Sequence, residues 1–89
     1  RNFYTVHREF PGGKGFADLV FIPRKKFSEK PALVVELKWD KTARGAITQI
    51  KEKEYCRSLE EYHGNLLLVG INYDRKTREH TCCIEEMER

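Results

Sequence analysis

The sequence predicts one small α/β domain with a mixed (α+β) sheet, in the order β-β-β-α-β-β. Three observations support this class. A glycine-rich turn at residues 11–15 separates two extended apolar stretches, which is typical of a hairpin. Apolar residues recur at roughly helical spacing between residues 43 and 62, and a continuous apolar run follows at 66–73. A helix between two apolar strands is the pattern of a strand–helix–strand unit.

The first half of the chain predicts three strands. The first covers residues 4–10, and the second covers 16–22 and ends at Pro23. A polar connection at residues 24–31 leads to a third strand at 32–39, which is apolar and rich in β-branched residues. We expect the first two strands to form a hairpin and the third to lie beside the second.

The second half predicts a helix and two more strands. A polar turn from Asp40 leads into a helix from about residue 43 to 62, and Gly64 is a natural C-terminal cap. The apolar run at 66–73 suits a strand that is covered on both faces and paired in parallel with the third strand. A final short strand at 79–85 is expected at the edge of the sheet.

Length and composition limit the class of protein. The chain has 89 residues, of which 39% are hydrophobic and 35% charged, which fits one domain (residues 1–89) and argues against a disordered tail. Because the chain begins at Arg1, close to an aromatic pair, we expect a fragment of a longer protein. The net charge of +3 permits nucleic-acid binding without requiring it.

The cysteines and the hydropathy of the chain indicate the cellular compartment of the protein. Cys56, Cys82 and Cys83 are odd in number and have no zinc-binding spacing. Neighbouring cysteines on a strand point to opposite faces, so a bridge between Cys82 and Cys83 is not expected. Three reduced thiols predict a cytoplasmic protein. No signal peptide is recognisable, and no apolar run approaches the roughly 18 residues that a membrane helix needs.

Charged residues interrupt two strands that are otherwise apolar. Glu36 and Lys38 are two residues apart on the third strand, so they share one face of it. The other face, which is expected to account for the packing, consists of Leu33, Val35, Leu37 and Trp39. Asp18 interrupts the second strand in the same way. Buried charges cost several kcal/mol unless they are paired or bound to a metal.

Two carboxylates and an amine on neighbouring strands could act together in phosphodiester hydrolysis. Asp18 and Glu36 can hold a hard divalent cation, Mg²⁺ or Mn²⁺. Such a cation lowers the pKa of a bound water and stabilises the charge of a scissile phosphate. Lys38 can position or deprotonate the water, or offset the growing negative charge. The plain alternative is a solvated Glu-x-Lys ion pair together with a turn-capping Asp.

The order of these residues resembles the PD-(D/E)XK nuclease superfamily, in which an Asp on one strand and a Glu/Asp-x-Lys on the next form the catalytic set. The matching segments are residues 15–20 and 34–39. The sequence looks most like the nuclease domain that follows an ATPase-like domain in many bacterial proteins of unassigned function. The motifs that carry this likeness are Gly13–Val20, Glu36–Trp39, Gln49–Tyr55 and Leu67–Asp74.

The resemblance implies a restriction-endonuclease-like core whose usual helix before the first strand is missing here, so part of the core is exposed or a partner chain supplies that helix. It implies that Asp18, Glu36 and the main-chain carbonyl of Leu37 bind the metal, and that Lys38 serves the attacking water. It implies DNA, or RNA, as the substrate. An ATPase-like domain earlier in the full-length chain is a further expectation.

Some members of the superfamily carry a Gln and, four residues later, a Tyr that both face the metal. Here Gln49 is followed by Lys53, so Gln49 is expected to assist catalysis and Tyr55 to belong to the core. Lys53 is either a phosphate contact or a solvated helix lysine. Glu9 is a further candidate acidic ligand, and the basic cluster at residues 24–26 is either a DNA contact or a solvated loop.

Two rival hypotheses stay open. The same fold can serve as a non-catalytic module that binds nucleic acid or another protein. The chain can also be a fragment that forms a homodimer through the position of the missing helix.

Overall fold

The computed structural model describes residues 3–12, 15–53, 59–62 and 65–87 of the chain. In these ranges the strands are β1 (Tyr4–Gly12), β2 (Gly15–Pro23), β3 (Ala32–Trp39), β4 (Leu66–Asp74) and β5 (Glu79–Glu86), and the α-helix is α1 (Ala43–Glu52). Two short 3-10 turns occupy Lys25–Phe27 and Glu60–Tyr62. The predicted class and element order are confirmed, and they are consistent with a restriction-endonuclease-like core.

The five strands form one mixed sheet in the order β1-β2-β3-β4-β5. β1 and β2 form the predicted antiparallel hairpin, and they extend to Gly12 and Gly15, further than the sequence predicted. β2 and β3 are antiparallel, β3 and β4 are parallel, and β5 runs antiparallel to β4 at the edge. Helix α1 makes the crossover between the two parallel strands, as expected.

The core lies between α1 and one face of the sheet. Four helix residues with the spacing i, i+3, i+4 and i+7 form a buried stripe: Ala43, Ala46, Ile47 and Ile50. Alternate residues of β3 and β4 face this stripe, because side chains on a strand alternate between its two faces. The fully buried strand residues of the core are Val20, Ala32, Val34, Leu66 and Leu68.

Gly70 allows α1 to lie very close to β4. A Cβ atom at this position would be 2.3 Å from the carbonyl oxygen of Ala43 and 2.9 Å from the Cβ of Ala46, so no side chain fits there. In the parallel register Gly70 is the partner of Glu36. The close approach of the helix therefore occurs directly beside the predicted site.

Helix α1 begins where the sequence predicted and ends earlier. Thr42 caps its N-terminus, since the hydroxyl oxygen accepts a hydrogen bond from the amide of Gly45 at 2.9 Å. The prediction of a helix to residue 62 was wrong: α1 ends at Glu52. The amide of Lys53 is shared between the carbonyls of Gln49 and Ile50, a tightened last turn that ends the regular hydrogen-bond ladder. The expectations for Tyr55, Cys56 and Gly64 lie outside the described residues.

The second face of the sheet is covered by no helix in the described ranges. Trp39 on this face is 52% exposed, and Val6 and Ile84 are 50% and 61% exposed. Two predictions were therefore wrong: Trp39 does not contribute to a buried face of β3, and β4 is not covered on both faces but alternates between buried and half-buried residues. The reason is that a single helix covers only one side of a sheet.

None of the helices in the described part of the chain has the length and apolar character for crossing a membrane.

Candidate active site

The two predicted acidic residues lie on adjacent strands where the β2–β3 ladder ends. The last backbone pair is Leu19 with Val35, so Asp18 and Glu36 are the next positions on the two strands. Asp18 Oδ2 accepts a hydrogen bond from the amide nitrogen of Leu37 at 2.8 Å. The carboxylate of Asp18 therefore satisfies a main-chain donor just beyond the end of the ladder, and this bond holds Asp18 against β3.

Glu36 is buried, with 3% of its surface exposed, although it is ionisable. It shares the helix-covered face of β3 with Val34. Its Oε2 is 3.3 Å from Lys53 Nζ on the segment that follows α1. Its Oε1 has no hydrogen-bond partner among the described residues. A buried carboxylate oxygen without a partner is costly, and coordination of a cation is one way to satisfy it.

Burial raises the pKa of Glu36 above its usual range, and the charge of Asp18 raises it further. Lys53 and, more weakly, Lys38 lower this pKa without cancelling the increase. The ionised form of Glu36 is therefore costly in this buried position. Carboxylate oxygens are the ligands of hard divalent cations, and the partnerless Oε1 of Glu36 is a donor that suits such an ion.

Lys38 lies one strand period after Glu36 and is half-buried. Its charge acts on Glu36, so these two side chains share an electrostatic environment, as the strand spacing predicted. Lys38 also lines a cavity of about 440 Å³ at the carboxyl end of β3. The other residues of this cavity lie on the uncovered face of the sheet, whereas the amine of Lys38 shares the helix-covered face with Glu36.

Gln49 lies on α1, and Lys53 follows four residues later, directly after the end of the helix. Gln49 is half-buried, and its side chain makes no hydrogen bond with Asp18, Glu36 or Lys38 in the described ranges. Lys53 is 21% exposed at its side chain and forms the ion pair with Glu36. Lys53 is therefore not the solvated helix lysine that the sequence allowed as one alternative, and its contact with a phosphate stays a prediction.

A family model of the PD-(D/E)XK nuclease superfamily matches residues 1–82. The chain belongs to this superfamily. Its members generally use divalent metal ions, and their substrates are nucleic acids. Searches among curated proteins and among solved structures found no significant match.

In this PD-(D/E)XK protein, Glu9 also approaches the site. It lies on β1 between the pairs Arg8–Leu19 and Phe10–Ala17, opposite Asp18. Glu9 and Asp18 line the same cavity, of about 400 Å³. The backbone of Glu9 has φ of 52°, an unusual value for a residue that is not glycine. Such outliers concentrate at functional sites, and the role of Glu9 as an additional acidic ligand stays a prediction.

Asn72 is a buried polar residue that was not among the residues predicted for the site. It is 6% exposed and pairs in register with Lys38. Its Oδ1 accepts a hydrogen bond from the amide of Lys41 at 2.9 Å, which ties the β3–α1 connection of this nuclease-superfamily chain to β4. A polar residue inside the apolar run 66–73 was the signal that could have revealed it.

The remaining candidates are less favourably placed. The basic residues 24–26 are exposed and follow the opposite end of β2 from Asp18, so the fold does not bring them to the acids. No group of three or more His, Cys, Asp and Glu side chains within the described ranges could hold a metal. The carboxylates of Asp18 and Glu36 therefore stay the main candidates for metal ligands. The main-chain carbonyl of Leu37 stays a predicted third ligand.

Proposed function

We propose that this chain is a metal-dependent nuclease domain that hydrolyses phosphodiester bonds in DNA, with RNA as the alternative substrate. The observation that carries the proposal is the buried carboxylate of Glu36, whose Oε1 has no partner in the described part of a PD-(D/E)XK chain. Asp18 and Lys38 adjoin it. In phosphodiester hydrolysis two carboxylates can bind the cation, and an amine can act on the attacking water or on the phosphate.

Asp18 and Glu36, with the Leu37 carbonyl, would hold Mg²⁺ or Mn²⁺. When bound, the ion would lower the pKa of a water molecule and stabilise charge on the phosphate. The hydrogen bond from the Leu37 amide fixes the orientation of Asp18 through Oδ2 and leaves its Oδ1 available. The buried position of Glu36 excludes bulk water from one side of the site.

In this proposal Lys38 orients the attacking water or neutralises the charge that grows on the phosphate. Gln49 assists from α1, where its half-buried side chain lies one turn before Lys53. Lys53 neutralises part of the charge of Glu36 through their ion pair.

Cleavage of labelled DNA with Mg²⁺ or Mn²⁺ tests the function. We expect metal-dependent cleavage by the wild-type chain, loss of cleavage in Lys38→Ala and Asp18→Asn, and full cleavage in Lys25→Ala. Lys25 is the matched control, because it is an exposed lysine that follows the opposite end of β2 from Asp18. Equal cleavage by wild type and Lys38→Ala would indicate a contaminating nuclease and remove the support for the proposal.

A calorimetric titration with Mn²⁺ tests the site independently of turnover. We expect binding by the wild-type chain and at least a tenfold weaker binding in Glu36→Ala, because one of the two carboxylates is removed. Binding that is unaffected by Glu36→Ala would mean that the ion lies elsewhere.

A non-catalytic nucleic-acid-binding module is the second candidate. The ion pair between Lys53 and Glu36 favours it, since a lysine already neutralises one acid of the site. DNA binding without Mn²⁺ uptake would select this candidate. The Mg²⁺ preference, the homodimer, the ATPase-like domain and the cytoplasmic location stay predictions.

A further inference from the structure

Three aromatic rings form a row across the uncovered face of the sheet. Trp39 on β3 pairs in register with Tyr73 on β4, and Tyr73 pairs with His80 on β5. Residues that are partners in register lie on the same face of a sheet. The rings of Tyr73 and His80 are 4.7 Å apart and inclined by 41°. Trp39 is 52% exposed, so the row offers ring faces to solvent.

This aromatic row adjoins the candidate active site. Trp39 lines two neighbouring cavities, which also share Leu37. One cavity contains Lys38 together with Tyr73 and His80, and the other contains Asp18. A molecule lying on Trp39 therefore reaches Asp18, whereas the side chain of Lys38 belongs to the opposite face of β3, with its register partner Asn72.

The loops beyond the row are basic. They follow the carboxyl ends of β3 and β4, and their exposed basic residues are Lys41, Arg75, Lys76 and Arg78. The two acids of these loops are engaged: Asp40 accepts hydrogen bonds from the side chain and main chain of Arg75, and Asp74 accepts them from the amides of Lys76 and Thr77. Arg75 is paired with Asp40, so the charge available to an anionic ligand is that of Lys41, Lys76 and Arg78, for which the described residues provide no ion pair.

We infer that the row of Trp39, Tyr73 and His80 binds unpaired nucleobases, so that the substrate of this site is a single-stranded nucleic acid or a frayed duplex end. Aromatic faces beside a basic surface are the combination that holds single strands, because bases stack on the rings while phosphates meet the cations. A paired duplex keeps its bases stacked inside and cannot offer them to Trp39. The inference deepens the proposed function and rests on it.

A second copy of the chain is the rival occupant of this face. Aromatic residues are common in protein interfaces as well, so the basic loops decide between the two occupants. A second copy would bring its own basic loops against these, whereas a nucleic acid brings phosphates. The cavity that Trp39 shares with Asp18 also favours a substrate strand.

Trp39 is the one tryptophan of the chain, so its fluorescence reports on the row directly. In EDTA, we expect an oligothymidine to quench this fluorescence saturably. A duplex of equal length should bind at least tenfold more weakly, and an oligonucleotide without bases should leave the emission unquenched. Equal quenching by all three would overturn the inference, and so would the absence of quenching by the single strand.

Variants test the row with a labelled oligothymidine followed by anisotropy. We expect Trp39→Ala to weaken binding about tenfold, as loss of one stacked base does, and Trp39→Phe to restore most of it. Phe3→Ala is the matched control, because Phe3 is an exposed aromatic residue (41%) near the opposite end of the sheet. Unchanged binding by Trp39→Ala, with thermal unfolding like that of wild type, would overturn the inference.

Two further measurements separate the possible failures. Light scattering that shows a dimer in wild type and a monomer in Trp39→Ala would assign the row to a second copy and overturn the inference. Cleavage that requires Lys38 but prefers duplex DNA, without quenching of Trp39, would reject the stacking row and leave the proposed nuclease intact. Quenching by single strands with no Lys38-dependent cleavage would reject the nuclease instead.

Discussion

Lys53 Nζ lies 3.3 Å from Oε2 of the buried Glu36, so the acid at the centre of the candidate site is already paired with a cation from the end of α1. The pair leaves Oε1 of Glu36 without a partner in the described residues. Lys53 lowers the pKa of Glu36, but burial and the charge of Asp18 raise it more. The resulting carboxylate is buried and incompletely paired among the described residues.

The stability of the metal-free protein should depend on pH through Glu36. Because its pKa in the folded state is raised, the folded protein binds this proton more tightly than the unfolded chain. The stabilisation is fully present below the usual pKa of a glutamate, about 4.3, and it is lost as the pH rises through the raised value. We therefore expect Glu36→Gln to melt at a higher temperature than wild type at pH 7 in EDTA, with a difference that shrinks toward pH 4.

Asp40→Asn provides a control of opposite sign. Hydrogen bonds from the main chain and side chain of Arg75 lower the pKa of Asp40, so its contribution to stability is present above the usual aspartate value and is lost as the pH falls. Asp40→Asn should therefore be no more stable than wild type at pH 7. If Glu36→Gln is also no more stable at pH 7, the burial cost assigned to Glu36 is wrong.

Two substitutions at Asp18 should separate stability from metal binding. Asp18→Asn keeps an oxygen that can accept the hydrogen bond of the Leu37 amide, whereas Asp18→Ala leaves that partly buried amide without its partner. We expect Asp18→Ala to lose about 1–3 kcal/mol of unfolding free energy in urea and Asp18→Asn to lose less. Both should lose Mn²⁺ binding by calorimetry. Equal stability of the two variants would show that the Leu37 contact contributes little.

Gly70→Ala should disturb the seating of α1 on β4. The added methyl group would clash with the carbonyl of Ala43, which is backbone and cannot rotate away. We expect a loss of about 1–3 kcal/mol in urea unfolding, the usual range for overpacking. Because Gly70 is beside Glu36 in the register, the shifted helix should also weaken Mn²⁺ binding.

Gly45→Ala, at a glycine within α1, is the comparison for Gly70→Ala. Its added Cβ would meet Thr42 Oγ1 at 2.8 Å, a contact with an exposed side chain that can move. A smaller loss than in Gly70→Ala is therefore expected. The reverse order would contradict the assignment of Gly70 as the closest point between helix and sheet.

The cap of α1 should contribute measurably to stability. Thr42→Ala removes the acceptor for the Gly45 amide, and a loss of about 1 kcal/mol is expected from thermal or urea unfolding. Thr42→Ser keeps the hydroxyl and should stay close to wild type. A Thr42→Ser variant as unstable as Thr42→Ala would mean that the methyl group of Thr42, and not its hydroxyl, matters.

The local pattern of the chain determined the strands and the relation between Glu36 and Lys38. The bounds of β3 agree with the predicted residues 32–39, and the pairing of β4 beside it follows from the apolar run and the helical crossover. These features depend on the two-residue period of a strand and on connection length, which are properties of neighbouring residues. The hairpin and the strand order then placed Asp18 beside Glu36.

Only the tertiary structure decided which face of the sheet the helix covers and what lies against Glu36. The sequence indicated the face of Leu33, Val35, Leu37 and Trp39 as the packing face of β3. In the structure α1 covers the face of Glu36 and leaves Trp39 exposed. The ion pair of Lys53, the close approach at Gly70 and the hydrogen bond of Asn72 likewise join residues far apart in the chain. The side chains of a strand alternate between its two faces whichever face a helix covers. The residues of the strand alone therefore do not show which face is covered.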